Sequence, residues 1–380
     1  MDIWKSEVWK DKYKDHNVRK GLRLKFDRGI DDKLKAGFKE YCRWLRSEYT
    51  FPIRVPVYVK NFKKIKAMDG EYVFGTFLGP FNFLEEPYVR VAAGDFKESF
   101  EEMGEQAVYQ YLCTLTHELT HYFQWLNNSE LTQIGKERQA TITADRIVQR
   151  YVDAKYEEQQ FLHKLEQSAK RREINEAEID KLRKIAVEDD VNNKILIARI
   201  LEESKLIESE KILLHLTKDI DDVVRMEACN ALSNSDSLEV YEALKGIASK
   251  DSVGMVRGYA IVALGDVAVE INKEKEATKF LKNLLKREKT DFAIIDIWAV
   301  LYCLGEERWL SYLLEKIDSS KSSERCEVAN CLYGIVDEEN KEQIKTILQK
   351  RREIEKSEEV IESIEEVLNI IKKDYNKKGI

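Results

Sequence analysis

The sequence predicts a mainly α-helical protein in two parts: an N-terminal α+β domain with a short sheet, then an α-solenoid of stacked helix pairs. Three observations lead there. The 380 residues exceed what one hydrophobic core usually serves. Runs rich in β-formers are confined to residues 53–94. From about residue 170 onward, helical segments alternate with short polar breaks such as "SNSDS" and "DSSKSS", and a repeat emerges. The composition agrees, because 4 prolines and 16 glycines are too few for a turn-dense β-sandwich.

Taken in order, residues 31–48, "DDKLKAGFKEYCRWLRSE", set Leu34, Phe38, Cys42 and Leu45 on one helical stripe. Three strands are expected next, in "IRVPVYVK" (53–60), "EYVFGTFLG" (71–79) and "YVRVAAG" (88–94), separated by the turn-forming "MDG" and "GPFNFLEEP". A long helix over about 99–127 carries the core stripe Leu112, Leu115, Leu119 and Leu126. Another helix begins near residue 135 and runs through "ERQATITADRIVQRYVDAKY". These elements make a domain over residues 1–160, with a helical linker at 161–189 and repeats over 190–380.

Within the last segment, "VRMEACNAL" (224–232) returns as "VRGYAIVAL" (256–264), 32 positions later. "ERCEVANCL" (324–332) keeps the spacing, and "DIWAVLYCL" (296–304) is read as a degenerate copy without the arginine. Partner helices "EALKGIA", "KFLKNLLK" and "SYLLEKI" lie between them. Each two-helix unit has an apolar stripe it cannot bury alone, so the units must stack. The small residues Ala228, Ala231, Ala260 and Ala263 allow close helix approach. These copies resemble HEAT-type repeats of the short class with a "VR..A..AL" core, over about 190–350. The resemblance implies a protein partner bound through the helical repeats.

Charge and cysteine usage bound the setting. Six cysteines (Cys42, Cys113, Cys229, Cys303, Cys326, Cys331) include no CxxC pair and are expected as buried thiols of a cytoplasmic protein. No long uncharged apolar stretch occurs, and "MDIWKSEVWKDKYKDHN" lacks a signal-peptide core, so no membrane role is expected. Residues 1–66 hold 19 basic against 9 acidic side chains. A polyanion such as nucleic acid would suit that cluster, but no nucleic-acid motif accompanies it, and a solvated face is the preferred reading.

Two of the five histidines stand in "HELTH", residues 117–121. At i and i+4 on a helix, His117 and His121 lie one above the other and can grip one ion, for which zinc is the expected metal. Glu118, about 100° round the helix, can instead take a proton from a water in the open coordination position. A third ligand is required. Gln124 and Asn127 stand where a metzincin would have glycine and histidine, and Arg138 stands where a G-x-x-D continuation from Gly135 needs aspartate. "ERQATITA" offers Glu137 on one stripe with Ala140 and Ala144, and a short loop returns it towards the histidines. Glu137 is therefore read as the third ligand. Asp145 falls one position off that stripe and is open to a supporting role beside a ligand histidine or Arg146. His16, His163 and His215 read as ordinary helix or loop residues, with His215 on an apolar repeat stripe.

Over about 31–152 these motifs resemble the gluzincin clan of zincin-like metallopeptidases, in its minimal form. The resemblance implies zinc on His117, His121 and Glu137, Glu118 as general base, and hydrolysis of a protein or peptide substrate by a metal-activated water. It further implies that the strand before the site helix, "YVRVAAG", holds the substrate by main-chain pairing, as an edge strand can. An oxyanion-stabilising tyrosine or histidine is also implied, but Tyr88 and Tyr122 are not separated by the sequence, and Tyr151 lies too far along its helix. A non-catalytic scaffold with a structural or vestigial zinc site stays open beside the peptidase, as does a peptidase acting at nucleic acid.

Overall fold

The computed structural model describes the chain except residues 1, 7–8, 10–18, 68–69, 82–84, 170–172, 189, 205 and 378–380, and side chains only as far as residue 372. His16 and part of the basic N-terminal cluster thus lie outside the described residues. The protein is mainly helical, with a small N-terminal sheet and C-terminal helical repeats. It divides into two compact units, Met1–Phe161 and Leu162–Ile380. No helix among the described residues is long and apolar enough to cross a membrane.

The first unit begins with a strand β1 (Leu22–Phe26), followed by α1 (Asp32–Glu48), which Asp31 caps by accepting from Lys33 N. Strands β2 (Val55–Lys60), β3 (Ile65–Lys66), β4 (Tyr72–Val73), β5 (Gly75–Leu78) and β6 (Tyr88–Ala92) follow. Then come α2 (Phe96–Met103), α3 (Glu105–Leu126) and α4 (Gln133–Ala169), within which the unit ends. The helix expected over 99–127 is thus two helices. Gly104, at φ 60, forms the break, a conformation that side chains with a Cβ disfavour.

The main sheet has the order β1-β2-β6-β5, parallel except for β5. β1 was not anticipated, although "LRLKF" alternates apolar and basic residues as a half-buried strand does. β6 pairs with β2 on one side and β5 on the other, so the strand expected at the edge is internal. Among the described residues the sheet's edges are β1 and β5, and β5 is the edge that packs beside α3. Leu34, Phe38, Tyr41 and Leu45 of α1 pack in one core with Val57, Val59, Val89 and Val91 of the sheet and Leu115, Leu119 and Phe123 of α3.

The second unit is an array of helices: α5 (Glu176–Ala186), α6 (Val191–Leu201), α7 (Ile207–Leu216), α8 (Asp222–Ala231), α9 (Leu238–Lys250), α10 (Gly254–Glu270), α11 (Glu274–Leu285), α12 (Asp291–Cys303), α13 (Trp309–Lys316), α14 (Ser322–Ile335), α15 (Lys341–Ile354) and α16 (Glu358–Lys377). A cation stands fourth in α6, α8, α10 and α14. Arg225 donates two hydrogen bonds to Asp251, Arg257 two to Glu288, and Arg325 two to Glu355. Each acid lies in the loop leading to the next repeat and accepts from backbone N–H groups there. Lys194, paired with Asp219, marks an earlier copy that the arginine pattern missed. In α12 the fourth residue is Ile294, so the degenerate copy runs over 293–301, three residues before the expected 296–304.

Two smaller expectations also change. His215 is exposed in the last turn of α7 rather than on the buried stripe. Of the six free cysteines Cys42 and Cys229 are buried, whereas Cys113, Cys326 and Cys331 are half-buried and Cys303 is exposed.

Candidate metal centre and cleft

Helix α3 presents two faces. Leu115, Thr116, Leu119, Thr120 and Phe123 are buried, with the hydroxyls spent inside: Trp4 Nε1 donates to Thr120 Oγ1 (3.0 Å), and Tyr41 Oη lies 2.6 Å from Thr116 Oγ1. This holds the opposite face, with His117 and His121, towards α4, which returns after a short connection. Ala140 and Ala144 are buried on the face that carries Glu137, and Glu137 lies beside the histidines.

His117 Nε2 lies 3.2 Å from Glu137 Oε2 and 3.2 Å from His121 Nε2, and the third side of the triangle, His121 to Glu137, is 3.5 Å. Ligands around one tetrahedral zinc ion at about 2.0–2.1 Å stand roughly 3.3–3.4 Å apart. The outer ring nitrogens favour the same donor set. His121 Nδ1 is 2.8 Å from Gln124 Oε1, and the orientation of that amide is set because Nε2 donates to Lys136 O (2.9 Å) and Gln139 Oε1 (3.0 Å). An amide oxygen only accepts, so His121 donates from Nδ1, and it is the Nε2 side of the ring that faces Glu137 and His117. Thr141 Oγ1 donates to Glu137 O (3.0 Å), leaving its lone pairs for His117 Nδ1 at 3.5 Å. Two ring lone pairs and a carboxylate converging on one point repel unless a cation sits between them. The set suits a divalent metal.

Burial holds the His117 imidazole below its ordinary value, the neighbouring His121 adds to this, and the Glu137 carboxylate opposes both. A neutral ring is the form that ligates. Glu118, 8% exposed, has its carboxyl pushed up to about 8 by burial, with the Glu137 charge adding. A cation held nearby would lower that value.

All four residues line one cleft of about 1280 Å³, with β5 along one side and Phe77, Tyr88, Trp125 and Asp145 in its walls. The edge strand approaches α3 closely. A Cβ at Gly75 would stand 2.6 Å from Glu118 Oε1, and one at Gly79 would stand 2.5 Å from Trp125 Cδ1.

The residues left open by the sequence separate here. Tyr122 is buried and bonded at both ends to Ile53, donating to its carbonyl (2.8 Å) and accepting from its N–H (3.3 Å), so it is a core residue. Tyr88 reaches the cleft. Asp145 accepts from Tyr109 Oη (2.9 Å), and Arg146 pairs with Asp2, so Asp145 orients neither a ligand histidine nor Arg146. Gln124 and Thr141 are the supporting residues that sequence reasoning passed over. Gln124 stands one turn after His121 on the same face, which is the available signal.

Among known families, a HEAT-repeat model matches residues 179–265, from α5 into α10, a span that takes in both clear sequence copies. No curated protein matches the chain. The C-terminal unit therefore carries HEAT repeats, the kind of helical scaffold that binds proteins.

Proposed function

We propose that the protein is a zinc-dependent peptidase whose HEAT repeats recruit its protein substrate or a regulator. The observation that carries this reading is the convergence of His117, His121 and Glu137 within 3.2–3.5 Å, in a cleft that also holds Glu118. These three side chains would hold zinc, which supplies a Lewis acid and lowers the pKa of water near neutrality. Glu118 takes a proton from the attacking water and returns it to the leaving amine. The open side of β5 offers unpaired main-chain groups to an extended substrate chain, and the cleft walls provide apolar room for its side chains.

The test is zinc content and peptide hydrolysis of the wild type beside Glu118→Gln. That variant should retain zinc and lose hydrolysis by at least roughly a hundredfold. Equal turnover in both proteins would remove Glu118 as the base. The HEAT match favours a second reading, a non-catalytic scaffold with a structural zinc site. Zinc at one per chain with no turnover in the wild type would select it.

A further inference from the structure

The HEAT unit holds a second convergence of ligand-type side chains. Asp296 on α12 and Glu327 and Cys331 on α14 bring their oxygen and sulfur atoms within 4.8 Å of one another. The Cys331 thiol points at Asp296 Oδ1 (3.6 Å) and Glu327 Oε1 (3.8 Å). The repeat register explains the meeting. Asp296 and Glu327 each stand two positions after the fourth residue of their helices, Ile294 and Arg325, so stacking sets them side by side. The corresponding acid of α8, Glu227, is instead occupied by Arg199 (2.6 Å).

Three observations point to a missing counter-charge. The cluster lines a cavity of about 410 Å³ whose walls include a third acid, Asp266, and no lysine, arginine or histidine. Asp296 is 1% exposed, yet its Oδ2 has no hydrogen-bond partner. That oxygen rests on Gly258 of α10, where any Cβ would collide with it, so the neighbouring repeat leaves space for the carboxylate. Two carboxyl groups this close and this poorly hydrated repel when both are ionised, and a divalent cation between them would relieve that repulsion.

Thiolate and carboxylate ligands of one tetrahedral zinc, at about 2.3 and 2.0 Å, stand about 3.5 Å apart. The sulfur–oxygen distances of 3.6 and 3.8 Å are close to that. We propose that Asp296, Glu327 and Cys331 form a second divalent-cation site, independent of His117 and His121 and selective for zinc-class ions. The sulfur ligand disfavours magnesium and calcium, which take oxygen donors.

The test uses the full chain carrying His117→Ala and His121→Ala, so that the first site is removed. Equilibrium dialysis should find one zinc per chain in this background, with magnesium and calcium failing to displace it. Cadmium should give the ultraviolet thiolate-to-metal charge-transfer band. Adding Cys331→Ser should abolish the band, and adding Asp296→Asn should weaken binding at least roughly tenfold. Gly258→Ala, which removes no ligand but crowds the Asp296 carboxylate, should weaken it too. Melting curves establish that each variant folds. Absence of zinc from the histidine double variant, or an unchanged band and affinity in Cys331→Ser, would overturn the proposal. The difference in zinc content between the wild type and the double variant reports the first site separately.

Discussion

Replacing Arg257 by methionine removes the cation from one rung of the ion-pair ladder while keeping most of the side chain's bulk. The guanidinium donates to Glu288 Oε2 (2.8 Å) and Oε1 (2.6 Å), to Asp251 O (2.8 Å) and to Thr290 Oγ1 (2.8 Å). The Glu288 side chain is only 5% exposed, so water cannot take over these bonds. Burial alone would raise the Glu288 carboxyl, but the bonds from Arg257 and from the Thr290 and Lys289 N–H groups outweigh it and lower the value from 4.5 to about 2. That lowering corresponds to roughly 3 kcal/mol at neutral pH for Arg257 and the two N–H groups together, and stripping one partner from a buried pair usually costs ~3–5 kcal/mol, so a loss of about 3 kcal/mol is expected. At about 2–4 °C per kcal/mol for a unit of this size, Arg257→Met should melt roughly 6–12 °C lower at pH 7. Because the value is lowered on folding, the contribution is complete above about pH 4.5 and lost as pH falls towards about 2. The variant's stability should therefore vary less over that window. Removing both charges, in Arg257→Met/Glu288→Gln, should recover at least half the loss, since the repeat with Ile294 shows that an apolar residue fits the position. Thermal melts followed by far-ultraviolet circular dichroism decide it, with Arg199→Ala as an exposed-pair control worth about 1 kcal/mol or less. A single variant no worse than that control, or a double variant as damaged as the single, would refute the argument.

Three further outcomes concern the cleft. Gly75→Ala sets a methyl 2.6 Å from Glu118 Oε1 and 2.7 Å from its Cγ, so it should cut hydrolysis at least roughly tenfold with zinc retained; unchanged turnover would show that Glu118 is not held by β5. Gln124→Ala removes the acceptor of His121 Nδ1–H and should lower zinc affinity about 10–100-fold by metal titration, whereas native affinity would make the amide a mere helix tie. Glu137→Ala should lose zinc far more than Glu130→Ala or Asp145→Ala, because only Glu137 meets both histidines; equal affinities across the three would remove it from the ligand set.

Periodicity carried the local information in this chain. The stripe Leu34, Phe38, Cys42 and Leu45 is buried along α1, and Leu112, Leu115, Leu119 and Leu126 are buried along α3, because a helix puts residues three and four apart on one face whatever it packs against. The same rule set His117 and His121 together and made the three arginine-bearing repeats visible. Contacts between distant segments obey no such spacing. The strand beside α3 in sequence is not the sheet's edge, because β5 adds antiparallel outside β6, and a pairing choice of that kind is made by the assembled sheet. Gly104 splits what reads as one helix, since the backbone there takes φ 60. Lys194 reveals a repeat copy, and Ile294 the register of another, only when the helix starts are known, because their side chains depart from the arginine pattern. Gln124 gains its role from Lys136 and Gln139 on the returning helix, and Asp296 meets Cys331 only across the stacked repeats. Sequence alone determined which faces must be covered. Which residues meet across those faces was decided by packing, because a helix stripe states a need for burial without naming its partner.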